Sequence, residues 1–210
     1  MVLLGVAVVL ALGIFVIQGV PGTVNSLSTV TNNVKGLASA PVEIESWADF
    51  QCPPCKAFAT TLEQQLLQGP VKDGQVRLVF RHKAFLGEES TQAAAASECA
   101  AEQGQFWPYH DRLYAEQNGR NAGTFSKTNL KRFGADLGLD KASFDACVDG
   151  DQAVARIRAE AQAADQRGVT RTPTLFVNGQ KIEGVPTWES LRQTIEQALV
   201  VVPNLSGPGL

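Results

Sequence analysis

The feature that most constrains this chain is a Cys52-Pro53-Pro54-Cys55 motif at the join between an extended segment and an apolar helical stripe. Upstream, residues 42–50 mix apolar, charged and small side chains in an extended pattern. Downstream, Cys55, Phe58, Leu62 and Leu66 recur at helical spacing and read as one continuous stripe. Residues 75–81 (QVRLVFR) then carry the β-branched and apolar character of a second strand. Strand, helix and strand in this order predict a βαβ unit with parallel strands.

The rest of the chain extends that unit. Residues 88–168 are mostly helical in character, with an alanine-rich stretch at 93–101 and stripes at Leu130, Phe133, Leu137 and at Val154, Ile157, Ala161, Ala164. Two short strand-like runs, 174–177 and 181–183, flank Asn178-Gly179. That pair predicts a hairpin, because both central positions of a type I′ turn need positive φ. Trp188, Leu191, Ile195 and Leu199 form a closing amphipathic helix. The expected fold is α/β, with the order β-α-β, a helical insertion, then β-β-α.

At 210 residues and 44% hydrophobic, the chain suits one domain plus an appendage. The appendage is N-terminal. Residues 2–17 are apolar apart from Gly5 and Gly13, and Gln18 is the first polar residue. Roughly 20 apolar residues span a bilayer core as a helix, so residues 1–20 read as a membrane anchor. A cleaved signal segment is the rival. The run is longer than an ordinary signal core, and Ala38-Ser39-Ala40 lies far beyond it. No Lys or Arg precedes the run, so charge asymmetry gives no orientation. Residues 21–40 are rich in Gly, Ser, Thr and Asn and read as a linker to a domain at 41–200, with a tail at 201–210. The net charge is −3 and Lys and Arg are scattered, which excludes a nucleic-acid partner.

A C-x-x-C can be half a zinc site, a redox pair or a structural disulfide. Helix register favours the redox pair. Cys55 falls on the apolar stripe and is expected buried, whereas Cys52 precedes the first turn and is expected accessible. That asymmetry suits an attacking thiolate and a resolving thiol. A zinc site needs further ligands, and the only histidines are His82 and His110, so neither metal nor organic cofactor is expected. A helix start stabilises an anion. Pro53 and Pro54 fit the first turn but have no N–H to offer the sulfur, leaving the Cys55 N–H as the nearest downstream donor. The expected Cys52 thiol is therefore activated, but less so than the most strongly activated thiols at helix starts, which reach a pKa of about 3.5. Asp49 would raise the Cys52 pKa and Lys56 would lower it if they lie close, and both otherwise read as solvated charges. His110 reads as a surface or capping residue, and Phe106, Trp107 and Tyr109 as helix packing.

The segment Asp49-Phe50-Gln51-Cys52-Pro53-Pro54-Cys55 resembles the active-site motif of the DsbA-type branch of the thioredoxin superfamily. Ala96-Ser97-Glu98-Cys99-Ala100, Gly104-Gln105-Phe106-Trp107, Tyr109-His110-Asp111 and Thr172-Pro173-Thr174-Leu175-Phe176-Val177-Asn178-Gly179 are also similar to it, in the family's order. The resemblance implies a thioredoxin-like fold with a helical insertion. It implies Cys52 and Cys55 as the catalytic pair, with Pro53 and Pro54 shaping the site. Pro173 is implied to follow a cis bond, so that with Thr172 it presents backbone to a substrate segment. Cys99 and Cys147 are implied to form a structural disulfide. The sequence departs from the family where many relatives carry a glutamate six residues before the first cysteine: Ser46 stands there, with Glu45 on the opposite strand face.

The implied activity is donation of disulfides to exported, cysteine-containing proteins outside the cytoplasm, with a membrane redox partner recycling the pair. A membrane-tethered reductase or isomerase remains open. So does a module of another class, a redox-inactive chaperone in which Cys52–Cys55 is a structural staple. Copper handling is weakened by the lack of a nearby histidine or methionine.

Overall fold

The computed structural model describes residues 33–201. The expected anchor at 1–20, most of the linker and the tail lie outside the described residues. Among those described, no helix is long and apolar enough to cross a membrane.

Residues 33–40, the described end of the expected linker, carry a strand of the sheet. Val34–Lys35 forms a short strand, β1. It pairs antiparallel with β3 (Val76–His82), Val34 opposite Val79. Composition suggested a tether here because two residues of strand carry no period of their own. Strand β2 (Val42–Ala48) lies parallel to β3 in unbroken register from Val42–Val76 to Ala48–His82. On its other side β2 meets β4 (Thr174–Val177) antiparallel, and β4 turns back into β5 (Gln180–Glu183). The sheet order is β1-β3-β2-β4-β5. The hairpin turn is as expected: Asn178 has φ 44° and Gly179 φ 88°. Asn178 also fixes the hairpin to β2, accepting from the Glu43 N–H at 2.7 Å and donating from its amide to the Pro41 carbonyl at 3.2 Å.

The stripe from Cys55 to Leu66 is two helices rather than one. Helix α1 (Pro53–Thr60) ends and α2 (Leu62–Gln68) begins at Thr61, whose φ of −124° and ψ of −79° leave the helical region. The cause is local. The Thr60 hydroxyl donates to the Lys56 carbonyl at 2.8 Å and the Thr61 hydroxyl to the Ala57 carbonyl at 2.6 Å, a back-bonding pattern that bends helices.

Helices α3 (Glu88–Ala101), α4 (Phe106–Glu116), α5 (Lys127–Asp136), α6 (Lys141–Asp149) and α7 (Gln152–Gln166) form the insertion, and α8 (Trp188–Val201) closes the chain. Three apolar clusters hold the layers together. Val42, Ile44, Leu78, Leu175 and Val177 of the sheet pack with Phe58, Leu62 and Leu66 of α1 and α2 and with Leu191 and Ile195 of α8. Trp47 and Phe176, on the other face, meet Ala164 of α7 and Val169. The third cluster joins Phe50, Phe80, Cys52 and Cys55 to the insertion. The buried alanines of α3 let its backbone approach its neighbours closely, and Cys99 of α3 is bonded to Cys147 of α6 with a Cα–Cα distance of 5.8 Å.

Candidate active site

Cys52 is the N-cap of α1 and Pro53 and Pro54 occupy the first turn, both exposed. Cys55 lies one turn further in and is 1% exposed. Cys52 is not open as expected. It is only 4% exposed, because residues around 85 and 171 rise on either side of it. These walls border an open cleft of 330 Å³ lined by Cys52, Pro54, Phe85, Leu86, Arg120 and Thr172 among others. Sequence proximity could not have placed Phe85, Arg120 and Thr172 beside one sulfur.

The Thr172–Pro173 peptide bond is cis. The Cys52 thiol donates to the Thr172 carbonyl at 3.3 Å. The Thr172 hydroxyl is buried without a partner of hydrogen-bonding geometry.

The two sulfurs, present as free thiols, are electrostatically unlike. Cys52 is lowered from 9.0 to about 6. The largest cause is a hydrogen bond from the Cys55 thiol; burial opposes it, and Thr172 and the Cys55 backbone N–H lower it further. Cys55 is pushed well above 9.0, first by burial and then by the sulfur of Cys52. One sulfur is thus a thiolate near neutrality while the other holds its proton.

Asp49 corrects the expectation of a solvated charge. It is 1% exposed and accepts from the backbone N–H of Gln51 at 2.8 Å, Phe85 at 2.9 Å and Leu86 at 3.1 Å, and from the Ser90 hydroxyl at 2.7 Å. One carboxylate therefore ties the active-site turn to the loop after β3 and to α3. Its charge is a minor influence raising the Cys52 pKa. Lys56 points elsewhere, toward the carbonyls of Ala115 and Gln117.

A family model described as Thioredoxin matches residues 28–197. The chain belongs to the thioredoxin family. It is 34% identical over 169 residues to Na(+)/H(+) antiporter NhaA 3 of Salinispora tropica, a match covering 80% of this chain and 24% of that protein. The chain thus spans about a quarter of the length of the first curated relatives it matches. It is 27% identical over 178 residues to disulfide bond formation protein D of Bacillus subtilis, covering 79% and 76% respectively. Among solved structures, oxidised BdbD from Bacillus subtilis superposes with a TM-score of 0.74 at 23% identity, covering 80% of this chain and 92% of that one. Pseudomonas aeruginosa DsbA2 gives a TM-score of 0.65 at 26% identity, covering 82% and 96%. The solved neighbours named BdbD and DsbA2 share this chain's fold.

In this thioredoxin-family site neither acid of the central strand β2 faces the cysteine pair. Ser46 is buried on the face toward α1, and Glu45 points away into ion pairs with Arg167 at 2.6 Å and Arg81 at 3.4 Å. The unbroken β2–β3 register leaves no bulge that could turn Glu45 round. The two histidines are both internal. His82 is 1% exposed, with Nε2 3.0 Å from Glu98. Burial lowers its pKa, but the Glu98 hydrogen bond and the charges of Glu160 and Glu98 outweigh this and raise it overall. His110 is fully buried, against the expectation of a surface or capping residue. A signal for this was present: Phe106, Tyr109, His110, Leu113 and Tyr114 together make the buried stripe of α4.

Proposed function

We propose that this chain is an extracytoplasmic thiol–disulfide oxidoreductase that donates the Cys52–Cys55 disulfide to exported proteins through a mixed disulfide at Cys52. The observation that carries the reading is the split between the two thiols. A sulfur with a pKa lowered to about 6 is a good leaving group and stabilises the reduced form of the pair, which makes the disulfide an effective oxidant. A substrate thiolate attacks Cys52, the S–S bond to Cys55 breaks, and Cys55 leaves with the electron pair. A second substrate thiol then displaces Cys52, completing the substrate disulfide. A substrate segment seated in the cleft would lie beside the backbone of Thr172 and Pro173, with Pro53 and Pro54 at its edge.

The Cys99–Cys147 disulfide supports an oxidising compartment, since such bridges rarely persist in the cytosol. The apolar run at 2–17 supports export or attachment to a membrane, where a redox partner would reoxidise the pair. The relatives named disulfide bond formation protein D support the direction of transfer.

The reduction potential of the Cys52–Cys55 pair tests the reading. A value above roughly −180 mV is expected for a disulfide donor. A value near about −270 mV would turn the reading toward a reductase, and one below about −300 mV would leave the pair a structural staple. In parallel, Cys55→Ser should accumulate mixed disulfides with substrate proteins and Cys52→Ser should accumulate none.

A further inference from the structure

The connection between α4 and α5 is fastened to the active-site turn on both sides of Arg120. Ahead of it, the Gln117 amide donates to the carbonyls of Phe50 at 2.5 Å and Cys52 at 3.2 Å, and the Gln117 carbonyl accepts from Lys56 at 3.3 Å. Behind it, the Asn121 N–H donates to the side-chain carbonyl of Gln51 at 2.5 Å. The Asn121 amide donates to the Leu86 carbonyl at 3.1 Å. Further on, the Glu89 carboxylate accepts from the N–H groups of Gly123 at 2.7 Å and Phe125 at 2.8 Å. The backbone that carries Arg120 is therefore held in place beside Cys52. The Arg120 side chain is exposed, and among the described residues it has no hydrogen bond or ion pair.

Arg120 lines the cleft over Cys52 together with Phe85, Leu86, Thr170, Arg171 and Thr172, so two of the lining residues are cationic and none is acidic. Arg171 is fixed at its backbone, where its carbonyl accepts from the Thr174 hydroxyl at 2.8 Å. Its side chain is 68% exposed and reaches Glu183 only at 3.8 Å, while Lys181 engages that carboxylate at 2.6 Å. Asp49 does not neutralise the cleft, since it is buried with both oxygens bonded within the fold. Lys83, behind Phe85, is already bound to Asp165 at 2.5 Å. Phe85 is 45% exposed and gives the cleft an apolar wall. A chain of net charge −3 thus presents two available guanidinium groups at its reactive sulfur.

We propose that Arg120 and Arg171 select acidic cysteine-bearing segments, each segment setting an Asp or Glu side chain against a guanidinium beside Cys52. The proposal rests on the reading of Cys52 and Cys55 as an exchanging pair and names the substrate class of that pair. An extended segment advances about 3.3 Å per residue, so a carboxylate a residue or two from the substrate cysteine stays within reach of an arginine lining the same cleft. A guanidinium matches a carboxylate through two parallel N–H···O bonds, which gives orientation as well as attraction. Because the backbone of Arg120 is already fastened, less freedom is lost when the segment binds. Apolar side chains of the segment rest against Phe85 and Leu86. A basic segment would bring like charges together in the cleft and is disfavoured.

The test is oxidation of three reduced peptides by the oxidised full chain, followed by mass after an acid quench. Each peptide has two cysteines and the same apolar residues, flanked by aspartate, asparagine or lysine. Each gives up two electrons and becomes a disulfide as Cys52–Cys55 becomes a dithiol. Every rate is divided by that of the same peptide with hydroxyethyl disulfide, which removes differences in thiol reactivity. At an ionic strength of about 0.01 M the aspartate peptide should react roughly fivefold faster than the asparagine peptide, with the lysine peptide slowest, and the spread should narrow at about 1 M. Arg120→Gln should lower the aspartate-to-lysine ratio severalfold. Arg120→Glu combined with Arg171→Glu should invert the order, which loss of folding cannot do. Equal normalised rates for the three peptides, or a ratio that Arg120→Gln leaves unchanged, overturns the charge selection and leaves the exchange reading intact. Failure of every peptide to be oxidised removes both.

Discussion

The difference between Cys52 and Cys55 comes from three residues' spacing and one turn of helix. Cys52 caps α1 and receives a hydrogen bond from the Cys55 thiol, whereas Cys55 is enclosed by the core. The absorbance of the Cys52 thiolate in reduced protein should titrate with a midpoint near 6, and Cys55 should show no midpoint below 9. The sign for stability follows from a folded pKa that lies below the ordinary 9.0. The contribution is complete above that value, fades as pH falls toward about 6, and is lost below it. Unfolding measured from pH 9 to pH 5 should therefore show the reduced form losing stability relative to the oxidised form, which has no thiol to titrate. Asp49 gives a second residue-scale outcome. Asp49→Ala strips the acceptor from three backbone N–H groups and one hydroxyl, and should cost about 3 kcal/mol or more in chemical denaturation. Asp49→Asn, which removes the charge, should move the Cys52 midpoint lower, because that charge raises it.

Elements in this domain are shaped by side chains that sequence periodicity weighs poorly. The break between α1 and α2 follows from two adjacent threonines bonding back to the preceding turn, a competition invisible to apolar spacing. In the insertion, α5 and α6 meet at Gly134, where an added Cβ would lie 2.4 Å from the Phe144 ring. Helix propensity favours alanine over glycine by about 1 kcal/mol, but overpacking a filled core costs about 1–3 kcal/mol. Gly134→Ala is therefore expected to destabilise, and Phe144→Leu in the same chain should recover part of the loss. If thermal unfolding found Gly134→Ala more stable than the parent, the close approach of α5 to α6 would be wrong.

At the scale of the whole molecule, the insertion is held to itself by the Cys99–Cys147 bond, which closes a loop across 48 positions of sequence. Constraining the unfolded chain over such a loop contributes about 4 kcal/mol. Replacing both cysteines by serine should lower stability by about that amount, read by denaturant unfolding, while leaving the Cys52 titration near 6. A shift in that titration would mean that the bridge also sets the active-site geometry. The sequence by itself determined the α/β order, the hairpin at Asn178-Gly179 and the two-cysteine helix start, because periodicity, turn chemistry and helix-end electrostatics act over a few residues. Resemblance to a known family added the Thr172–Pro173 bond and the Cys99–Cys147 pairing, which local pattern alone leaves open. Only the tertiary structure decided the depth of Cys52, the buried role of Asp49, the inward turn of His110 and the strand at Val34. Each depends on groups far apart in the chain meeting across a low-dielectric core, where contact and desolvation rather than local preference set the charge a residue carries.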